Sequence, residues 1–198
     1  AIIFNDFFNH AVCIRIKVFK DNSLKKTIMN FKQTLDIVES SQVFESFKEQ
    51  YPNAELCAGF FIIDLYGNDS KQSIDYKAAE NIFTFDVLKS KEVVMNKDRL
   101  LDENARLDHI KTIEREVEIE VEELKGIIGV ACLDEGIGSK ITKIIAILQN
   151  KENNLVWNLT CILDGLIILH VLVNAHDGTV IFFERKSMMD LVKKRNEK

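Results

Sequence analysis

The sequence predicts an α+β protein in which antiparallel sheets are packed by helices. Three observations carry that prediction. Two Asp-Gly pairs, Asp164-Gly165 and Asp177-Gly178, stand between apolar runs near the C-terminus. Asp-Gly is the strongest short-range hairpin signal, because a type I′ turn needs positive φ at both central positions. Leu24, Ile28, Phe31, Leu35 and Val38 step by four and three, the spacing of an amphipathic helix. The 198 residues are 46% hydrophobic and 29% charged, a balance that lets a chain of this size bury a core without disulfide staples.

The elements follow in order. Val12, Ile14, Ile16 and Val18 alternate with Cys13, Arg15 and Lys17 and predict a half-buried strand over 11–19. The helix through Leu24 and Val38 has Ser23 placed to cap it. Ser40-Ser41 interrupts it, and a second helix over 42–50, with Val43, Phe44 and Phe47 as its apolar set, stops before Pro52. An apolar strand over 54–66, a polar loop over 67–79 and a strand over 82–88 bearing Phe83 and Phe85 come next. Ile110, Ile113, Val117, Val121 and Leu124 have helical spacing and predict a connecting helix over 99–125, although Val117, Ile119 and Val121 also suit a strand. A short apolar strand over 127–133 and a turn lead to a helix over 140–149. That helix is capped by Ser139 and buries Ile141, Ile144, Ile145 and Leu148. Strands over 155–163, 166–174 and 179–185 then form a meander. The chain thus divides into an N-terminal α+β half (1–97), a connecting helix (98–126) and a C-terminal half (127–198).

A two-residue loop at Asp164-Gly165 would pair Leu163 with Leu166, Cys161 with Ile168, Leu159 with His170 and Trp157 with Leu172. Ile162, Thr160, Asn158 and Val156 would oppose Ile167, Leu169, Val171 and Val173 on the other face. Both faces then read as largely apolar, and the helix over 140–149 covers only one, so the meander needs a second cover.

The same stretch resembles a known module. A short helix, a strand opening Val156-Trp157, a strand ending Val171-Leu172-Val173-Asn174-Ala175 and the run Asp177-Gly178-Thr179-Val180 are similar to a PepSY module. That family has a helix, then a strand with a vWxv-like start and a vxVDaxtGxV hairpin. Asn174 stands where the family commonly has Asp. The resemblance covers about 140–185, and the N-terminal order of helix 42–50, strand 54–66 and strand 82–88 echoes it. It implies two PepSY/cystatin-like halves, no catalysis, an extracytoplasmic setting and a role in binding or restraining peptidases.

Several chemistries find no support. The formal net charge is −5, whereas a nucleic-acid-binding chain carries a basic field. Acidic residues concentrate in 114–123, read as a solvated helix face, and basic ones in the tail over 193–198. Cys13, Cys57, Cys132 and Cys161 sit in apolar runs without a Cys-x-x-Cys spacing, and read as reduced buried thiols rather than metal or redox groups. His170 and His176 would need a third metal ligand nearby, and Asp177 is the only candidate, so they read as a satisfied core histidine and an exposed turn residue. Cys161 and His170 share a face but are offset by two residues, too far for a nucleophile pair. Gly136-Ile137-Gly138-Ser139-Lys140 lacks the spacing of a phosphate loop and reads as a turn plus a cap. Of the sequons Asn68-Asp69-Ser70 and Asn158-Leu159-Thr160, the second falls in a strand that would not admit a glycan. Residues 1–10 lack the basic region of a signal peptide, and the apolar window 155–175 holds Asp164-Gly165 at its middle and is not a membrane span.

The function expected is that of a non-catalytic binding protein for a peptide or protein partner. It would need no cofactor and no metal, and would form a homodimer through the apolar sheet face. Its candidate interaction surface is Trp157, Leu159, His170, Leu172 and Phe183. The expected location is cytoplasmic, or extracytoplasmic if an anchor precedes Ala1. The alternative is a hydrophobic-ligand carrier or enzyme with a cone-shaped pocket lined by Phe60, Phe61, Phe83 and Phe85.

Overall fold

The computed structural model describes residues 29–98 and 110–187. The strand expected over 11–19 lies outside them. Helix α1 is Phe31–Glu39. Asn30, extended at φ −71° and ψ 170°, starts it, and its side chain accepts the Gln33 N–H at 2.8 Å. Of the helix expected from Leu24 to Val38, the part before Met29 lies outside the described residues, and the described helix starts at Phe31: an Asn that bonds the backbone two or three residues on makes a helix start, not a helix interior. Ser41 caps α2, Gln42–Gln50, which has the bounds expected. Phe44 and Phe47 are buried and Val43 is exposed.

Four strands follow: β1 Glu55–Asp64, β2 Lys71–Ala78, β3 Asn81–Val87 and β4 Val93–Asp98. The expected polar loop over 67–79 is thus largely a strand. Its buried Ile74, Tyr76 and Ala78 alternate with Ser73, Asp75 and Lys77, and the polar half of the alternation hid the period. Residues 110–120 are irregular where a helix was expected. Helix α3, Val121–Asp134, takes the place of the strand expected over 127–133 and buries Val121, Leu124, Ile128 and Cys132. The helix expected over 140–149 is strand β5, Ile141–Lys151. Its buried set is Ile144, Ala146 and Leu148, a period of two, and the run of β-branched isoleucines beside Thr142 favours a pleated backbone. Strands β6 Asn154–Leu163, β7 Ile167–Asn174 and β8 Val180–Ser187 complete the chain.

The eight strands form one antiparallel sheet in the order β4-β3-β2-β1-β5-β6-β7-β8. Two four-stranded meanders meet at β1 and β5, where Phe61 opposes Ala146 and Ile63 opposes Ile144. In chain order, two described helices precede the first meander and one precedes the second.

The register of the β6–β7 hairpin differs by one residue from the one expected. Leu163 pairs with Ile167, Cys161 with Leu169, Leu159 with Val171 and Trp157 with Val173. The loop has three residues, and both Gly165 (φ +80°) and Leu166 (φ +60°) take the left-handed conformation. A one-residue slip exchanges the faces of a strand. His170 now opposes Thr160, and Leu172 opposes Asn158. One face is therefore wholly apolar and the other mixed, which corrects the reading of two apolar faces.

All three described helices lie on the apolar face. Over the first meander, Phe44 and Phe47 pack on Tyr76, Phe83 and Phe85, with ring centroids 4.9–6.1 Å apart. Phe31 lies on Gly59, where a Cβ would come within 2.9 Å of its ring. Over the second meander, α3 shares its core with Trp157, Leu159, Cys161, Leu169 and Val171. The segment before α3 straps one end of the sheet: Trp157 Nε1 donates to the Ile119 carbonyl at 2.8 Å, Ile119 N–H to Ala175 at 3.0 Å and Ile113 N–H to Leu56 at 3.0 Å. The Glu120 carboxylate accepts the Phe31 N–H at 2.8 Å, so one side chain at the start of α3 also serves the N-terminus of α1.

Candidate functional site

The five residues expected to form an interaction surface do not share one. Trp157 and Leu159 are fully buried in the core that includes α3. Phe183 is half-buried on the same face, opposite Val171. His170 and Leu172 lie on the other face. His170 Nε2 is 2.9 Å from Asn158 Oδ1, and its ring meets Phe182 edge-on at 5.2 Å. Burial first, then Lys186 and Lys151, lowers its pKa to about 4, against the opposing pull of Glu184. The ring is neutral at pH 7. Cys161 is on the opposite face from His170 and burial pushes its thiol up to about 12. Neither group is set up as a nucleophile or its base.

The phenylalanines likewise divide. Phe61, Phe83 and Phe85 belong to the helix-covered core, and Phe60, on the other face, does not. His176, in the β7–β8 turn, bonds Glu118 at 2.7 Å, and both are exposed. Among the described residues no cluster of His, Cys, Asp and Glu could hold a metal ion, and no helix is long and apolar enough to cross a membrane.

Two features escaped sequence reasoning. The first is the edge strand β8. Ile181 and Phe182 are 53% and 41% exposed. They sit where a bulge falls between Val180 and Phe182 in the pairing with β7. Beyond them Glu184 and Lys186 form an ion pair at 2.7 Å. The strand is apolar near the turn and charged toward its end. The apolar quartet Val180-Ile181-Phe182-Phe183 was visible in the sequence, but only the sheet order makes it an edge.

The second is the end of the sheet reached by the β1–β2, β3–β4 and β6–β7 turns, the C-terminus of α3 and the start of β5. We call it the upper end. A shallow depression of about 510 Å³ opens there, lined by Asp64, Tyr66, Lys140, Thr142, Lys143 and Asp164. Asp64 accepts the N–H groups of Tyr66, Gly67 and Asp69 at 3.3, 2.8 and 3.3 Å. Burial pulls its pKa up, but these N–H groups and Lys143 outweigh it and hold the carboxyl below its usual range. Asp64 is thereby committed to fixing the turn. Asp69 lies 3.6 Å from Lys143 and 3.9 Å from Lys71.

Comparison with family models and with curated proteins gives no match. Among solved structures, the fold is similar to that of a "putative lipoprotein" from Clostridium difficile 630, at 14% identity and a TM-score of 0.51, over 73% of this chain and 90% of that one. At this identity the likeness speaks for the fold alone.

Proposed function

We propose that the chain is a non-catalytic binding protein that takes an extended segment of a peptide or protein partner onto the outer edge of β8. The carrying observation is the pair Ile181 and Phe182, exposed on a strand that is the last of the sheet among the described residues. An added strand gains main-chain hydrogen bonds along such an edge, and side chains at the edge select what is added. A bulge and charged residues are the ordinary guards of an edge strand. Here they leave the apolar end of β8 accessible. The two meanders, the first preceded by two described helices and the second by one, fit a reading of two related PepSY/cystatin-like halves, with α3 in the role first given to 140–149. Of the two locations expected from the sequence, the extracytoplasmic one is favoured, because the neighbour of like fold carries the description "putative lipoprotein".

The test is selection of binders from a displayed random-peptide library on the full chain. The expected binders are β-prone peptides whose binding falls at least about tenfold in Ile181→Lys/Phe182→Lys, a variant that keeps the fold by circular dichroism while losing the ring contact of Phe182 with His170. A library that yields no binder, or binders indifferent to that double substitution, would sink the proposal.

A further inference from the structure

The two outer strands use their polar side chains differently. On β4, Asn96 donates to Asp86 at 2.8 Å, and the Lys97 ammonium lies 5.8 Å from the centre of the Phe83 ring. Both are held by the neighbouring strand β3. On β8, Glu184 and Lys186 lie on the face that carries His170 and Ile168, and they bond each other at 2.7 Å. Their charges cancel there.

Arg185 lies on the opposite face, across from Leu169. Phe183 is on the same face, across from Val171. Leu169 and Val171 are fully buried and apolar, and they offer a guanidinium nothing to bond. Among the described residues the Arg185 side chain is exposed and makes no ion pair or hydrogen bond. One face of the outer edge therefore presents a half-buried ring and, two positions on, an uncommitted cation.

An edge cation can also be a guard against added strands. A charge that only repels gains nothing from having its neighbours neutralised. The Glu184–Lys186 pair does that, and leaves standing the charge that shares a face with Phe183. Every pairing in the sheet is antiparallel, so an added antiparallel strand continues it. In such a pair, opposed side chains stand about 4.5–5.5 Å apart at Cβ, and opposite charges there attract. The chain as a whole carries −5, so the preference is local to Arg185 and weakens with salt.

We infer that the segment taken by the β8 edge is both acidic and apolar. It runs antiparallel to β8, with an Asp or Glu opposite Arg185 and apolar residues opposite Phe183 and Phe182. Its chain order is acidic, any residue, apolar, apolar. Arg185 is then a specificity-determining residue of the edge proposed above, and its role rests on that reading.

The experiment uses peptides selected from the displayed library on the full chain. They should be enriched in that residue order. One enriched peptide, and the same peptide with Lys replacing its acid, are titrated by fluorescence anisotropy against the parent, Arg185→Ala and Arg185→Glu. At low salt the parent should bind the acidic form about three- to tenfold more tightly than the lysine form. Arg185→Ala should bind the acidic form more weakly than the parent does and lose the preference. Arg185→Glu should reverse it. A guard gives the opposite sign, since its removal tightens every peptide. Peptides that need Ile181 and Phe182 but show no acidic preference, or that bind Arg185→Ala more tightly than the parent, would overturn the inference and leave the edge proposal standing. No binder, or binders indifferent to Ile181→Lys/Phe182→Lys, would overturn both.

Discussion

The two meanders share a topology and a common seam but are built differently. The first is packed with aromatic rings under two short helices, and α2 also packs against its edge strand β4. The second is packed mainly with aliphatic side chains and one tryptophan under the single helix α3. Its edge strand β8 presents Ile181 and Phe182 outward. Large rings need cover on several sides, and two helices with an intervening cap at Ser41 supply it. Branched aliphatic chains interdigitate on a pleated surface with less cover. Both outer strands expose apolar side chains, Val94 and Met95 on β4 and Ile181 and Phe182 on β8, and Ile181 is the most exposed of the four.

The largest expected effect tests whether the halves, so differently packed, still fold as one unit across β1 and β5. Phe47→Ala and Trp157→Ala should each cost about 3–5 kcal/mol. Each should lower a single calorimetric transition, because the sheet is continuous through Phe61 and Ala146. Two separated transitions in either variant would break the comparison by making the halves independent. Next, Gly59→Ala pushes a methyl group into the Phe31 ring at 2.9 Å, and denaturant unfolding should show a loss of about 1–3 kcal/mol.

These predictions rest on elements of unequal legibility. Helix α2 was readable to the residue, because Ser41 and Pro52 bracket a short amphipathic run. Strands β1, β3, β6 and β7 were readable from apolar runs. Strand β5 was not, since Ile141, Ile144, Ile145 and Leu148 satisfy a helical spacing as well as a strand with one face buried and the other half-buried. The β6–β7 register turned on one residue: Asp164-Gly165 signals a two-residue loop, and only the backbone reveals that Leu166 joins it at positive φ. That residue decided the faces, and with them the placement of His170 and Leu172. The apolar run of β8 was visible in the sequence, but that it forms an edge was not, because an edge exists only once strand order is known.

Smaller effects sharpen the picture. His170 is neutral in the folded state with a pKa near 4, below its ordinary 6.5. Above pH 6.5 folded and unfolded chains bind the same number of protons here. As pH falls from 6.5 toward 4 the unfolded chain takes up the proton first, so stability declines. Allowing for the ring's partial exposure, the loss is about 1–2 kcal/mol, and His170→Gln should flatten that part of the stability–pH curve. Gly126 and Gly129 lie in α3 with open space where a Cβ would stand. Substituting alanine at either should raise stability by about 0.5–1 kcal/mol, seen as a higher melting temperature.

The most direct test of the account is amide hydrogen exchange on the full chain with and without a peptide selected from the library. Addition of a strand predicts new protection concentrated in 180–187, with β4 unchanged. Protection confined to β4, to the upper turns or to the helices, with β8 exchanging as in the free chain, would contradict it.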